Sequence, residues 1–580
     1  MPSKGLMRLT VSVLAVAIAT TASAQSDRDN TLIMAGRADG PTFGTPGVAN
    51  PYSLGAEIRT GPLQTFEPLF FYNVYEDEHI PWLATGFEYS DDFSTITVSL
   101  REGVQWSDGE PFTAEDVAFT FDLLLENAAT AGDMRDAADV AERVAAANII
   151  DPLTVEIVLT SPDPRFIFTH LTNHMAQGLY WLPEHIWSEV ENPAAFRNFD
   201  PEAGLPVTTG AWALVESTSA QNVLERRDDW WGAEIGFRPL PQVETVIGVP
   251  FGSQDRAAQL LGTNGIDVSM DFGNPQLINT IKRINPNITT FGTSENGDPL
   301  GSADFWPTSL WFNHANPMWD DVRLRRAVAL AVDRQQAIDV AYLGSRPSSL
   351  TPFPAFAPLL PAIEIAEAAA REAGNVGPDL ETSASLMEEM GYVRNGDGLW
   401  ELNGETLTAT IQGVPPMNAI GPIIAQQLRN AGFDIEYVFT SDSRRLIRQG
   451  EAEMALFGHF GSVTDPAATL NIYHCDNALE VGRPTFSIAR WCNEEYSAIV
   501  DQVYGLAPDD PQVLELVEAA MEIWNEEVVE VPISQWIHII PMNQTYWTNW
   551  PSMENPYSSP AFWYESGQGA WLLHNLERAE

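Results

Sequence analysis

The sequence predicts an α/β fold, and three patterns carry that prediction. Ser94 to Leu100 and Leu153 to Leu159 alternate apolar and polar residues, the period of half-buried strands. Val117, Phe121 and Leu124 recur at helical spacing, and so do Leu324, Val328, Ala331 and Val332. Strands and helices interleave along the chain, which implies layered sheets covered by helices.

Taken in order, the elements follow from local chemistry. Gly36 to Pro62 is rich in turn residues and suits a chain crossing a surface before it enters a sheet. After the strand at 94–100, Ser107-Asp108-Gly109 makes a turn. Thr113 is the expected N-cap of the next helix, with Asp116 three residues on in the capping-box place. Asp151-Pro152 precedes the second alternating run. A single helix is expected from Val322 to about Ala341. Met387 to Gly391 should end another helix, Asn395 to Gly398 should turn tightly, and Leu399 to Leu402 should resume extended chain.

Composition excludes several classes of function. The 580 residues carry 79 Asp+Glu against 30 Lys+Arg, a formal charge of −49. Only Lys4 and Lys282 are lysines. A nucleic-acid surface needs clustered cations to displace counterions, so no nucleic-acid partner is expected. There is no G-x-x-x-x-G-K-[ST] and hence no P-loop. With 44% hydrophobic and 10% aromatic residues, the chain can build full-sized cores in more than one domain.

Residues 1–24 read as a cleavable signal peptide. Lys4 and Arg8 start it, Leu9 to Ala19 is a short apolar run, and Ala22-Ser23-Ala24 is a small-residue cleavage site. No Cys follows, so a lipid anchor is not expected, and the mature chain should work in the periplasm. Cys475 and Cys492 are the two cysteines, and in an oxidising compartment they should form one disulfide. The alternative is a metal site from His474, Cys475, Asp476 and Cys492, which has no second C-x-x-C to support it.

The longest signature is Leu100-Arg101-Glu102-Gly103-Val104-Gln105-Trp106-Ser107-Asp108-Gly109-Glu110-Pro111-Phe112-Thr113-Ala114-Glu115-Asp116-Val117. It resembles the L-R-x-G-V-x-F/W-x-D-G-x-P-x-T-A-x-D-V pattern of the extracellular solute-binding proteins of family 5. Thr209-Gly210-Ala211-Trp212, Arg226 to Gly232, Gly265-Ile266-Asp267, Phe312-Asn313, Asp321 to Ala327 and Ala331 to Arg334 resemble later family elements in family order. The resemblance runs from about residue 50 to 570. It implies a two-lobed periplasmic-binding-protein fold, type II and cluster C-like, with an extra subdomain in the first lobe. Lobe I would hold residues 25–300 and 531–580, with the subdomain at about 73–200, and lobe II would hold 301–530. It also implies a monomeric binding component that closes on a small solute and delivers it to ABC transporter permease subunits, without cofactor or catalysis. Asp108, Thr113, Arg323, Arg326 and Asp333 are read as structural.

Two places bear on the ligand. Peptide binders of this family carry a D-Y-x-D-P element whose first aspartate pairs with the peptide amine. Here the element is Ser462-Val463-Thr464-Asp465-Pro466, and serine cannot supply that charge. The chain also has 18 Trp. Tyr546-Trp547-Thr548-Asn549-Trp550-Pro551 resembles a segment of the family's cello- and chito-oligosaccharide binders. Aromatic plates cover the apolar faces of sugar rings, and amides pair with the hydroxyl rim. Trp547, Trp550 and Asn549 are therefore the expected sugar platform, with Trp400 and Trp311 facing them from lobe II and with Ser462 and Asp465 nearby. Trp230, Trp231, Trp524 and Trp536 are read as core. An oligosaccharide is the expected ligand and a di- or oligopeptide the alternative. A secreted glycoside hydrolase is a remoter alternative, since no G-x-S-x-G, H-E-x-x-H or Cys/His nucleophile arrangement is present. The acidic, lysine-poor composition suits saline surroundings that screen self-repulsion.

Overall fold

Three sheets organise the protein, which is described by a computed structural model covering residues 28–580 except 37–40, 55–57, 59, 129–133, 175–176, 274, 294–299 and 564–567. The expected signal peptide lies outside the described residues. The first sheet has seven strands, in the order Ile288–Thr289, Met542–Asn543, Val268–Ser269, Thr31–Gly36, Thr245–Pro250, Asn222–Arg226 and Trp212–Ser217. Thr31–Gly36 runs parallel to both Thr245–Pro250 and Val268–Ser269. Chain from both ends of the sequence thus enters one sheet.

The second sheet is the inserted subdomain: Ala84–Tyr89, Thr95–Leu100, Thr154–Leu159 and Val144–Asp151, antiparallel throughout. The two alternating runs are its central strands, with Ile96, Val98, Val155 and Ile157 fully buried. Helix Ala114–Asn127 buries Val117, Phe121 and Leu124. Its start is a capping box: Glu115 N donates to Thr113 Oγ1 at 3.2 Å, and Thr113 N donates to Asp116 Oδ2 at 2.9 Å.

The third sheet has five strands, in the order Asp434–Val438, Thr408–Gly413, Met454–Gly458, Thr308–Phe312 and Glu530–Ser534. Glu530–Ser534 pairs along Thr308–Trp311, so this sheet takes in chain from far along the sequence. The single helix expected over 322–341 is two, Val322–Leu330 and Arg334–Tyr342. Asp333 breaks it by capping the second: Gln336 N donates to Asp333 Oδ1 at 2.9 Å. Arg325, inside the first, is buried and donates to the carbonyls of Glu527 and Val528 at 3.0 and 3.3 Å. Helix Leu380–Glu389, the turn closed by Gly398 N on Asn395 O at 3.0 Å, and strand Trp400–Leu402 follow as expected.

Two segments join the lobes, and they pair with each other. Ser302 and Ala303 lie antiparallel to His538 and Ile537. An apolar cluster of Tyr72, Val74, Phe305, Phe356, Leu359 and Val463 packs residues of the first lobe against the second beside this pair. Cys475 and Cys492 form the expected disulfide, Cα to Cα 4.5 Å. The sulfur atoms of the metal-site alternative are therefore bonded to each other. No helix among the described residues is long and apolar enough to cross a membrane.

Candidate functional site

Residues from both lobes line two cavities. The first, about 290 Å³, has Arg135, Asp136, Asp139, Arg143, Asp163, Arg165 and His170 on the subdomain wall. Gly461 to Asp465 and Tyr504 form the opposite wall. Arg165 Nε pairs with Asp465 Oδ2 from wall to wall, and Arg165 Nη1 donates to Leu506 O at 3.0 Å. Burial pushes the Asp465 carboxyl above its usual range, and the guanidinium works against that rise. Arg165 Nη2 is buried with no hydrogen-bond partner.

The second cavity, about 790 Å³, lies where parallel strands end. Phe251 follows Thr245–Pro250, Met270 and Asp271 follow Val268–Ser269, and Pro415 and Pro416 follow Thr408–Gly413. Tyr342, Arg346 and Trp536 complete the wall. Ligands of α/β sheets collect in the crevice outside the carboxyl ends of strands, where the connecting loops converge.

The crossing strands connect the two. Phe305 packs with Val463 of the first cavity. Asp304, its neighbour, lies 3.0 Å from His538 Nε2, and His538 Nδ1 lies 3.1 Å from Asp271 of the second cavity. Burial alone lowers the imidazole's affinity for a proton, but the Asp304 and Asp271 carboxylates outweigh it and hold His538 up at about 10. Trp563 and Trp536 stand edge-on to the His538 ring at 5.2 and 6.3 Å.

The expected tryptophan platform does not sit in this region. Trp547 is 0% exposed in the first-lobe core, and its indole N–H donates to Thr31 O at 3.1 Å. Trp550 is buried beside it and donates to Trp547 O at 2.9 Å. Asn549 adopts a left-handed conformation, φ 58°, and spends its amide on Asn575 O at 2.7 Å. Trp311 is a central-strand residue donating to Phe457 O, and Trp400 packs under Arg394 and donates to Ala431 O, each at 3.1 Å. These four indoles have their polar ends satisfied by backbone and their faces covered, so the sugar-plate assignment is corrected to core packing. Ser462 and Asp465 do line the first cavity. Ser462 is internally used, however: its Oγ accepts from Thr469 N at 2.9 Å while Ser462 N donates to Thr469 Oγ1 at 2.8 Å. The residues read as core agree with that reading for Trp230, Trp231 and Trp524. Their burial has a polar cost that Glu67 helps meet, accepting from Trp230 and Trp231 at 3.1 and 2.9 Å. Trp536 is also buried but lines the second cavity.

Arg165, Arg346, Asp271, Asp304 and His538 do not stand out in the sequence.

The family description "Bacterial extracellular solute-binding proteins, family 5 Middle" matches residues 78–479. The chain belongs to this family. Among relatives, the nickel-binding periplasmic protein of Escherichia coli is 24% identical over 436 residues, 73% of this chain and 75% of that one. The peptide transport periplasmic protein SapA of Salmonella typhimurium is 27% identical over 373 residues, 60% of this chain. That match spans 63% of SapA, under two thirds of its length. A periplasmic oligopeptide-binding protein of Thermotoga maritima has two crystal structures similar to this chain at 22% identity, each covering 95% of it. One has a TM-score of 0.80 over 100% of the solved chain; the other, bound to mannohexaose, has 0.74 over 99%. The two-lobed α/β architecture of this family 5 protein is that of the family's periplasmic binding proteins.

Proposed function

We propose that this family 5 protein is the binding component of an ABC importer, acting outside the cytoplasm. It would close its lobes on a small solute and present the closed form to permease subunits. Closure is a population shift, because contacts made by both lobes exist only in the closed state. The role is capture without chemistry.

The ligand reading that the geometry favours is a short peptide with charged ends. The observation that carries it is the charge of both signs on the two cavity linings, Arg135, Asp136, Asp139 and Arg143 in the first and Asp271 and Arg346 in the second. A neutral oligosaccharide brings no charge to meet them, and the aromatic plates expected for a sugar are core residues. The peptide-binding relatives support this choice. Free nickel fits less well. Among the described residues, the one group with metal-ligand geometry is Cys475, Cys492 and Glu494, and its sulfurs are in the disulfide.

An oligosaccharide is the second reading, favoured by Trp536 and Tyr342 on the wall of the larger cavity and by the mannohexaose-bound neighbour. Mass spectrometry of the ligand that co-purifies, followed by calorimetric titration with defined di- and tripeptides and with cello- and chito-oligosaccharides, tests the choice. Peptide binding without sugar binding is expected. Sugar binding alone would reverse it.

A further inference from the structure

Two segments of the second lobe differ in charge from the rest of this acidic chain. Ser443 to Gly450 and Val481 to Asn493 hold five arginines, Arg444, Arg445, Arg448, Arg483 and Arg490, and no Asp or Glu. They are distant in sequence but joined in space. Gly482 N donates to Gln449 O at 2.7 Å and Thr485 N to Arg448 O at 3.0 Å. Arg490 Nη2 donates to the carbonyls of Arg448 and Arg483 at 2.9 and 2.8 Å. The flanking acids Glu451 and Asp442 meet Arg445, at 2.8 and 3.2 Å. Arg483 is exposed, and its side chain has no partner among the described residues.

This face also holds aromatic rings in the open. Phe486 is 45% exposed and Phe460 39%, and their rings meet edge to face with centroids 4.4 Å apart. The Arg448 guanidinium lies 3.6 Å over the Phe486 ring and donates Nε to Thr485 O at 2.7 Å. No hydrogen bond among the described residues uses its Nη1 or Nη2, and neither atom is sealed from solvent. Stacking and the Nε bond fix the plane of that fork, so little freedom is lost when it meets a carboxylate. Half-burial makes the Arg448 charge costlier, and the Arg444 charge beside it adds repulsion. An outside carboxylate would relieve both.

Charge decides among the anionic partners. A membrane of anionic lipid attracts the five arginines but repels the acidic remainder of a chain with formal charge −49. A second copy of the chain brings the same excess and the same repulsion. A short acidic segment of another protein gains the local attraction without so large an opposing field. Arginine beside exposed aromatic rings is also the composition of protein–protein contact centres.

We propose that this arginine–phenylalanine face of the second lobe docks a partner protein through a segment that sets Asp or Glu beside an apolar side chain. The carboxylate meets Arg448, and the apolar group packs on Phe460 and Phe486. Phe460 directly precedes Gly461 to Asp465, the cleft wall that pairs with Arg165, and its ring is 6.0 Å from that of Phe305 beside the crossing strands. The docking face therefore adjoins the parts that rearrange if the lobes open. Only the partner's identity rests on the importer reading above, under which it is a permease subunit.

Fluorescence anisotropy tests the face with two peptides carrying an uncharged dye, acetyl-Gly-Asp-Leu-Glu-Phe-Asp-Gly-amide and its counterpart with Asn, Gln and Asn for the three acids. Blocked ends remove the charges a solute site would use. We expect the wild-type chain to bind the acidic peptide at least about fivefold tighter than the neutral one at low salt, with the difference shrinking as salt rises. R448Q and F486S should each reduce that binding by about threefold or more while melting like the wild type. With benzoylphenylalanine in place of Phe, photolysis should label residues 443–450 or 481–493. The acidic–neutral comparison on the wild type needs no variant to fold. Equal binding of the two peptides, no binding of either, or label confined to the two cavities would overturn the face. Co-sedimentation with phosphatidylglycerol vesicles that R448Q abolishes would assign it to a membrane instead, and a dimer in analytical ultracentrifugation that R448Q abolishes would assign it to a second copy. Either result overturns the proposal. Separate titrations with peptide and sugar solutes keep the two readings apart. Docking of the acidic peptide without solute binding would keep the face and remove the importer reading, and solute binding without docking would do the reverse.

Discussion

Arg165 of the inserted subdomain and Asp465 of the second lobe form an ion pair across the cleft, although 300 residues separate them in the chain. Both side chains are nearly buried, at 7% and 9% exposed. Removing one partner of such a pair strands the other charge, a loss of about 3–5 kcal/mol where no relaxation is possible. If the lobes open as proposed above, Arg165 returns to water and that loss is relieved. Asp465→Asn should therefore open the molecule rather than unfold it. Small-angle scattering without ligand should give a larger radius of gyration for the variant, with the melting temperature changed little. Superimposable scattering curves would show that the pair does not hold the closed arrangement.

His538 ties the two crossing strands by charge. The imidazole, held up at about 10 by Asp304 and Asp271 against the opposing effect of burial, is charged in the folded state well above its ordinary value of 6.5. A folded-state pKa above the unfolded one gives stability that is complete below pH 6.5 and is lost as pH rises towards 10. The groups facing it include Asp304, Asp271, the Trp536 indole, whose Nε1 lies 3.3 Å from Nδ1, and the Trp563 ring, with the Arg346 charge acting on Asp271. Urea unfolding at a series of pH values from 6 to 10 should show falling stability for the wild type, on the order of a few kcal/mol across the window. His538→Gln should flatten the profile. Parallel profiles for the two proteins would count against a charged hinge histidine.

Local pattern and long-range packing are unequally legible in this chain. The strands at 95–100 and 154–159, and the Thr113–Asp116 cap, depend on residues a few positions apart, so periodicity and capping chemistry suffice. The break at Asp333 is hidden because the apolar stripe continues through it, and only the cap on Gln336 reveals the second start. The tryptophans mislead for a related reason. Asn and Pro beside Trp547 and Trp550 do signal a loop, but this loop returns its indoles to the core, where distant carbonyls such as Thr31 O take the N–H. The cleft charges lie hundreds of residues apart and have no signature in the chain.

Trp547 gives a direct contrast between core and platform roles. Truncating a fully buried aromatic costs about 3–5 kcal/mol through lost transfer energy and the cavity left behind. Trp547→Ala should lower denaturant stability by that amount while the folded fraction keeps its ligand affinity. A ligand platform would behave oppositely, losing affinity at nearly constant stability. Paired unfolding and titration measurements on Trp547→Ala distinguish the two patterns.

The charge balance bears on the response to salt, because two electrostatic effects oppose each other. Exposed pairs such as Arg323–Asp321, 2.6 Å, and Arg429–Asp434, 2.6 Å, weaken as salt screens them. Such pairs contribute about 0–1 kcal/mol each, so their loss is small. Repulsion among the excess acids, a formal −49 over the whole chain, weakens too, and that stabilises. Since the Debye length falls from about 30 Å at 0.01 M to about 8 Å at 0.15 M, distant acids stop repelling while close pairs are partly retained. Relief of repulsion therefore outweighs the weakened pairs, and the melting temperature should rise by a few degrees between low salt and seawater-like sodium chloride. Choline chloride at matched ionic strength should reproduce the rise, and parallel melts in sucrose should separate it from general exclusion effects. A flat or falling curve in both chlorides would mean that the acidic excess is spread widely enough to be harmless.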